Sequence, residues 1–320
     1  MKRQSILVVV VLSVVFLGNN VWADLYWAAY DSGISEIRGS NLSGSNITTL
    51  VTSGVSAPRD LTLDVAGGQM YWTNTGTNSI VRANLDGSGV ATLVTGLVSP
   101  ISIELDVTGG YMYWTDTAAD KIQRANLDGS GLVDIVTGLS RPRGLSLDLT
   151  GNKMYWTDIG TDKILRSNLD GSGIEDLVVF GSDNSVQYID LDINNGKMYW
   201  TDVVTNKIQR ANLDGSGVED LIDDLYTPRA IVLDISEGYM YWADNYSSYS
   251  PFPLSEIRRA NLDGSGITTL FSIPFGNVFG LSLGPTITIP TDPEVVPVPS
   301  AVILGTLGLT FSGMLLKRKK

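Results

Sequence analysis

The 320-residue sequence contains no cysteine and no histidine. Without cysteine there is no disulfide framework, no thiolate metal site and no cysteine nucleophile. Without histidine the commonest general base and the commonest metal ligand are missing, so Ser-His-Asp and Cys-His catalysis are excluded. Positive charge is scarce too: 22 Lys and Arg against 34 Asp and Glu give a formal net charge of −12. A chain of that sign is a poor partner for a phosphate backbone, which argues against nucleic acid binding. Long apolar runs are confined to the two ends, and no helical periodicity lies between them. At 43% hydrophobic residues the chain still has enough apolar surface for a large core.

The ends read as targeting segments rather than fold. Residues 1–23 have the layout of a secretory signal peptide: Lys2 and Arg3, an apolar stretch from Ile6 to Leu17, then Ala23 with Val21 two positions before it. Pro290, Pro293, Pro297 and Pro299 mark an extended linker over 286–299. Residues 300–320 hold an apolar run from Ala301 to Leu316 and the basic end Lys317-Arg318-Lys319-Lys320. The run is short for a spanning helix, and Ser300 with a snorkelling basic end extends it. Basic residues stay on the cytoplasmic side, so the body would face outward. This tail resembles the PEP-CTERM sorting signal of bacterial exosortase systems, with Val296-Pro297-Val298-Pro299-Ser300 at the motif position and Val298 where that signal has Glu. The resemblance implies an exported protein at the cell surface or outside it, membrane-anchored through 300–316 before processing. Its tail would have an exosortase-type sorting enzyme as partner.

The middle is a repeat. Tyr-Trp recurs at Tyr26-Trp27, Tyr71-Trp72, Tyr113-Trp114, Tyr155-Trp156, Tyr199-Trp200 and Tyr241-Trp242, with spacings of 45, 42, 42, 44 and 42 residues. A period in the forties fits a β-propeller, and also helical repeats of similar length. The local pattern decides for strands. In one unit, Gly144 to Asp148 alternates, Thr150-Gly151-Asn152 turns, Lys153 to Asp158 and Lys163 to Leu169 form two further strands, and Asp170-Gly171 makes a hairpin to Glu175–Val179. Four antiparallel strands per unit is one propeller blade. The third-to-fourth-strand turn occurs six times, and so does the first strand. The last first-strand, at 278–284, has no Tyr-Trp strand after it, and Tyr26-Trp27 has no first strand before it. These two pieces complete one blade. The expectation is therefore an all-β, six-bladed propeller over 24–285, closed by pairing of the C-terminal strand (278–284) with the N-terminal blade, which leaves no open ring edge.

The stretch Tyr155-Trp156-Thr157-Asp158, with its equivalents at Thr115-Asp116 and Thr201-Asp202, is followed by Ile-x-Arg-x-Asn-Leu-Asp-Gly-type strands. This resembles the YWTD (low-density lipoprotein receptor class B) repeat propeller. The match departs at Ala28-Ala29, Thr73-Asn74 and Ala243-Asp244. The resemblance implies a protein or peptide ligand. The Cys-rich modules that flank the propeller in animal members have no counterpart here. The repeated Trp residues read as core, since a blade is covered on both faces. The Asp residues after Thr read as turn locks that accept from backbone N–H groups.

Function is expected where the repeat breaks. Second-to-third-strand loops share a face with the blade connectors. The distance from Trp to the next strand's Ile is eight residues in four repeats, ten in the first and fifteen in the last, Trp242 to Ile257. The insertion carries Tyr246, Tyr249 and Phe252, and aromatic side chains dominate interface energies. The connectors on that face carry Arg59, Arg143 and Arg229, each after a Pro, as candidate positive donors around the pore mouth. The expected activity is a non-catalytic binding or structural module at the bacterial cell surface, for a protein or peptide or else an envelope polysaccharide, with no cofactor. The alternative is a calcium-dependent, lactonase-like hydrolase. It would use channel carboxylates from the position occupied by Thr62, Glu104, Ser146, Asp190, Val232 and Ser282, of which only Glu104 and Asp190 ionise.

Overall fold

The computed structural model describes residues 24–31, 34–181, 185–246, 254–274 and 277–284. The signal segment 1–23, the linker 286–299, the tail 300–320 and the loop positions Tyr249 and Phe252 lie outside them. No helix among the described residues is long and apolar enough to cross a membrane.

The described chain is a ring of six four-stranded antiparallel sheets. Blade 1 takes β1 (Leu25–Asp31), β2 (Ile34–Ser40) and β3 (Thr48–Val51) from the start of the ring. Blade 2 holds β4 (Pro58–Asp64), β5 (Gln69–Asn74), β6 (Ser79–Asn84) and β7 (Ala91–Val94). Blade 3 holds β8 (Pro100–Asp106), β9 (Tyr111–Asp116), β10 (Lys121–Asn126) and β11 (Val133–Thr137). Blade 4 holds β12 (Pro142–Asp148), β13 (Lys153–Asp158), β14 (Lys163–Asn168) and β15 (Glu175–Val179). Blade 5 holds β16 (Val186–Asp192), β17 (Lys197–Asp202), β18 (Lys207–Asn212) and β19 (Glu219–Ile222). Blade 6 holds β20 (Pro228–Asp234), β21 (Tyr239–Asn245), β22 (Leu254–Asn261) and β23 (Thr268–Pro274). The last strand, β24 (Asn277–Leu283), returns to blade 1 as its inner strand, in register Leu25↔Leu283 and Trp27↔Leu281. The sequence expectation of closure holds.

Each Tyr-Trp pair serves two seams, because neighbouring residues of a strand point to opposite faces. Tyr71 packs with Trp114 between blades 2 and 3, Tyr113 with Trp156, Tyr155 with Trp200, Tyr199 with Trp242, Tyr241 with Trp27, and Tyr26 with Trp72. All twelve side chains are at most 2% exposed. Six small cores therefore alternate with six sheets, and the Trp residues are packing, as expected from the sequence.

Polar groups of the repeat stitch the same seams. Thr115 Oγ1 accepts the Ser102 N–H (3.1 Å) within its own blade and donates to the Arg143 carbonyl (2.6 Å) on the next. Thr201 does the same between the Tyr188 N–H (3.3 Å) and the Arg229 carbonyl (2.7 Å). The following Asp locks the connector: Asp116 accepts from the N–H groups of Val98 and Ser99 (2.9 and 2.7 Å), and Asp244 from those of Tyr226 and Thr227 (3.0 Å each). Where Ala243 replaces Thr, Asn245 takes over the blade 6 to blade 1 seam, donating to the Val278 carbonyl (2.9 Å) and accepting its N–H (3.3 Å). The Asp-Gly turns are hairpin geometry: Asp170 accepts from the Ser172 N–H and hydroxyl (2.9 and 2.6 Å), and Gly171 has φ +84°.

Candidate functional site

The six inner strands β24, β4, β8, β12, β16 and β20 surround a central channel. In five of them the register shifts between the first and fourth residues, as between Pro142 and Leu145 or Pro228 and Ile231. Such a bulge re-aims side chains. Here it turns the second residue of the strand toward the channel end where the connectors arrive. That position reads Arg59, Ile101, Arg143, Gln187 and Arg229 in those five strands, and Phe279, third in β24, is its register equivalent. The three arginines occupy alternate blades 2, 4 and 6, and they line one cavity of about 320 Å³ together with Thr75, Ser99, Ile101 and Phe279. The structure thus brings together the three arginines singled out from the sequence.

The guanidinium groups are held by contacts that leave their charge uncompensated. Arg59 lies 4.3 Å from the Phe279 ring centre and 5.6 Å from that of Tyr30, and donates to Thr75 Oγ1 at 3.4 Å. Arg229 lies 5.3 Å from the centre of the same Phe279 ring. Arg143 donates to the neutral Gln187 Oε1 at 2.6 Å. Burial, and the other arginines of the mouth, pull Arg143 and Arg229 below the usual arginine range. The nearby Tyr188 acts the other way on both. A guanidinium stays protonated under such pressure, so the mouth is cationic.

Below the arginines the channel is acidic. Tyr188 crosses from blade 5 to blade 2, where its hydroxyl donates to the Arg59 carbonyl at 2.8 Å. Tyr188 also lines a second chamber of about 210 Å³ with Asp60, Ser102, Glu104 and Asp190. Asp60 accepts from the Ser102 hydroxyl (2.7 Å), the Ile103 N–H (3.2 Å) and the Leu61 N–H (2.9 Å), tying blade 2 to blade 3. Asp190 accepts from the N–H groups of Leu191 (2.7 Å) and Leu233 (2.8 Å), tying blade 5 to blade 6. Burial pushes the Asp60 carboxyl up to about 7 and that of Asp190 up to about 6. Glu104 rises well above its usual range through burial and the facing Asp190 and Asp60. Asp60 and Asp190 hold blades together. No three acidic side chains among the described residues converge on a metal-sized position. Both Asp190 oxygens accept backbone N–H groups, whereas the Glu104 carboxyl accepts no hydrogen bond among the described residues.

On the same face, in the connector before β20 and just after β21, Tyr226 and Tyr246 stack with ring centres 3.8 Å apart. Burial, Glu256 and Tyr226 push the Tyr246 hydroxyl up to about 12. Tyr226 is the more open ring, at 53% exposure. The rim anchor expected at Tyr246 is thus the lower half of a pair whose outward face belongs to Tyr226. Sequence reasoning missed Tyr226, Phe279, Tyr188 and Asp60. Tyr226 and Phe279 stood in view, as an aromatic three residues before Arg229 and an aromatic at the arginine register position.

The repeat signature described as low-density lipoprotein receptor repeat class B matches residues 110–149 and 196–235. The chain is 36% identical over 76 residues to low-density lipoprotein receptor-related protein 1 of Pyricularia oryzae, a match covering 22% of this chain and 25% of that one. It is 39% identical over 64 residues to mouse nidogen-2, covering 20% and 4%. The matches thus span a quarter or less of these relatives. Among solved structures the chain is similar to one in the nidogen/laminin complex, with TM-score 0.68, 23% identity, and 82% and 98% of the two chains covered. It is also similar to a putative TolB from Agrobacterium tumefaciens, with TM-score 0.63, 14% identity, and 80% and 91% covered. A third likeness is to virginiamycin B lyase from Staphylococcus aureus, with TM-score 0.52, 21% identity, and 66% and 68% covered. That range includes a lyase, so the fold alone is neutral on catalysis. What the sequence matches and the architecture establish together is a six-bladed propeller carrying low-density lipoprotein receptor class B, or YWTD, repeats.

Proposed function

We propose that this chain is an exported, non-catalytic binding module that takes a protein or peptide on the propeller face carrying the arginine mouth and the Tyr226–Tyr246 pair. The observation that carries the reading is the convergence of five inner strands on one open cavity, at the face where the repeat departs most from itself. Loops on a rigid scaffold are where binding residues are carried. An exposed aromatic on the same face as arginines without ion-pair partners among the described residues has the composition of an interface hot spot. The solved nidogen/laminin complex supports a protein partner for a propeller of this build. The hydrolase alternative has only Glu104 and Asp190 at its channel position, and Asp190 already ties blade 5 to blade 6 through backbone N–H groups. Export and surface retention rest on the terminal segments, with residues 300–316 as anchor and a sorting enzyme acting on the tail.

The lack of cysteine makes a direct test possible. Val204 (55% exposed) sits in a second-to-third-strand loop on the mouth face, and Ile174 (49% exposed) beside a hairpin turn on the opposite face. The full chain is tethered through Val204→Cys or through Ile174→Cys and offered the exported proteins of the cell that makes it. A partner retained by the Ile174 tether and lost on the Val204 tether is the expected result. Equal retention, retention on the Val204 tether alone, or capture by neither overturns the assignment.

A further inference from the structure

Resting on that binding reading, we infer that Arg59, Arg143 and Arg229 form a receptor for a carbon-borne carboxylate, which the bound partner supplies as an acidic side chain. The first argument is placement. The arginines share one register position on alternate blades, and the same bulge aims each at the same cavity. The second is unused hydrogen-bonding capacity. The Arg229 guanidinium makes no side-chain hydrogen bond or ion pair among the described residues, and that of Arg143 reaches only the neutral Gln187 Oε1. Guanidinium groups are normally well paired, so three that line one cavity with few protein acceptors have donors to offer a ligand there.

The chain has 34 acidic residues to neutralise 22 basic ones. Other cations use them: Arg166 pairs with Glu175, Arg210 with Glu219, Arg258 with Asp244, and Lys121 with Asp134. No ion pair among the described residues includes a mouth arginine. Three guanidinium groups thus stand together, partly buried and mutually repelling, in a protein rich in counter-charge. A ligand anion removes that repulsion.

The walls choose among anions. Phe279 and Ile101 line the cavity beside the arginines, so an anion carried on carbon fits better than a fully hydrated inorganic one. Planar guanidinium forks match planar carboxylates in two-point contact. The cavity opens on the same face as Tyr226, which places the carboxylate within a larger protein contact rather than at an isolated small-molecule site.

The test is calorimetric titration of the full chain with four probes: N-acetylated, C-amidated Gly-Asp-Asp-Asp-Asp-Gly, its equally capped tetra-asparagine analogue, free tricarballylate and tetragalacturonate. The aspartate peptide should bind, more weakly as salt is raised, and the asparagine peptide should not. Tricarballylate should compete at higher concentration, as the same chemistry without the peptide. Arg143→Gln with Arg229→Gln should weaken the aspartate peptide on the order of 100-fold. Arg229→Lys, which keeps the charge and loses the fork, should weaken it about tenfold. Melting curves of both variants close to the parent's would exclude misfolding as the cause. Binding of the aspartate peptide to the double variant at parental strength, or its failure to bind the parent, overturns the inference. So does a preference for tetragalacturonate, which would assign the triad to an acidic glycan. If the double variant still takes its protein partner on the mouth face at full strength, the binding reading survives and the carboxylate receptor does not.

Discussion

Val278→Asp combined with Leu281→Asp, in the full chain, abolishes cooperative melting. Both residues lie on β24, the strand that completes blade 1 from the far end of the ring. Val278 is fully buried and Leu281 is 6% exposed, within the core that holds Trp27 and Tyr241. Removing two such side chains costs about 2–5 kcal/mol each, before the penalty of burying unpaired carboxylates. The total approaches the whole stability of a typical domain, about 5–15 kcal/mol. The ring magnifies the loss. β1 becomes a free edge, Asn245 loses its Val278 partner, and Phe279 no longer backs Arg59 and Arg229. Gly280→Val should be nearly as damaging, since a Cβ there would stand 2.5 Å from the Asp60 Cα of blade 2. Tryptophan fluorescence during heating reads the result. The control is Ile174→Asp with Val179→Asp, on residues 49% and 65% exposed, which should melt close to the parent. A β24 variant that also melts cooperatively within a few degrees of the parent would show that closure does not hold the ring.

The second large effect is on pH. Asp60, Glu104 and Asp190 share the channel below Tyr188, and no Lys or Arg lines their chamber. Burial raises all three carboxyls, and for Glu104 the two neighbouring acids raise it further. A carboxyl raised in the folded state stabilises fully only below its unfolded value, and that stability is lost as pH rises through its folded value. Stability should therefore fall between about pH 4 and pH 7. Holding Asp60 at about 7 rather than 3.8 corresponds to on the order of 4 kcal/mol at pH 8, and Asp190 and Glu104 act in the same direction. At the acid end the turn carboxyls Asp86, Asp128, Asp170, Asp214 and Asp263, lowered by hydrogen bonds from their turn serines, gain as pH rises to about 4. The optimum should be mildly acidic. Glu104, which accepts no hydrogen bond among the described residues, is the probe. Glu104→Gln should raise the melting temperature at pH 8 by several degrees and leave it nearly unchanged at pH 4.5. A parent profile flat from pH 5 to 8, or a Gln variant less stable at pH 8, would contradict this account of the channel.

Much of this architecture is written in short-range pattern. The Tyr-Trp alternation, the Asp-Gly turns and the missing partner strands at the two ends are local signals, and each maps directly onto a blade, a hairpin or the β24–β1 pairing. The arginine triad was legible for the same reason, since Pro-Arg recurs at one register position. What stayed hidden depends on bulges and on contacts across the axis. Asp60 sits two residues before the strand position read as channel-facing, and only the packing of blade 2 on blade 3 turns it inward. Tyr188 looks like one more strand aromatic until its hydroxyl is seen on the Arg59 carbonyl, 129 residues away in sequence. Tyr226 lies in an ordinary connector and gains meaning only from Tyr246 beneath it. Such residues belong to the closed ring rather than to the repeat.

The central claim is that recognition occurs on the mouth face. Amide hydrogen exchange of the full chain, with and without the partner retained by the Ile174 tether, tests it most directly. The account predicts added protection in the connectors and bulged strand starts, around Ser56–Asp60, Val98–Ser102, Ser140–Gly144 and Tyr226–Ala230. Exchange should be unchanged in the opposite turns at Asp86–Gly89, Asp128–Gly131, Asp170–Gly173 and Asp214–Gly217. Protection confined to those turns, with the arginine mouth unaffected, would contradict it.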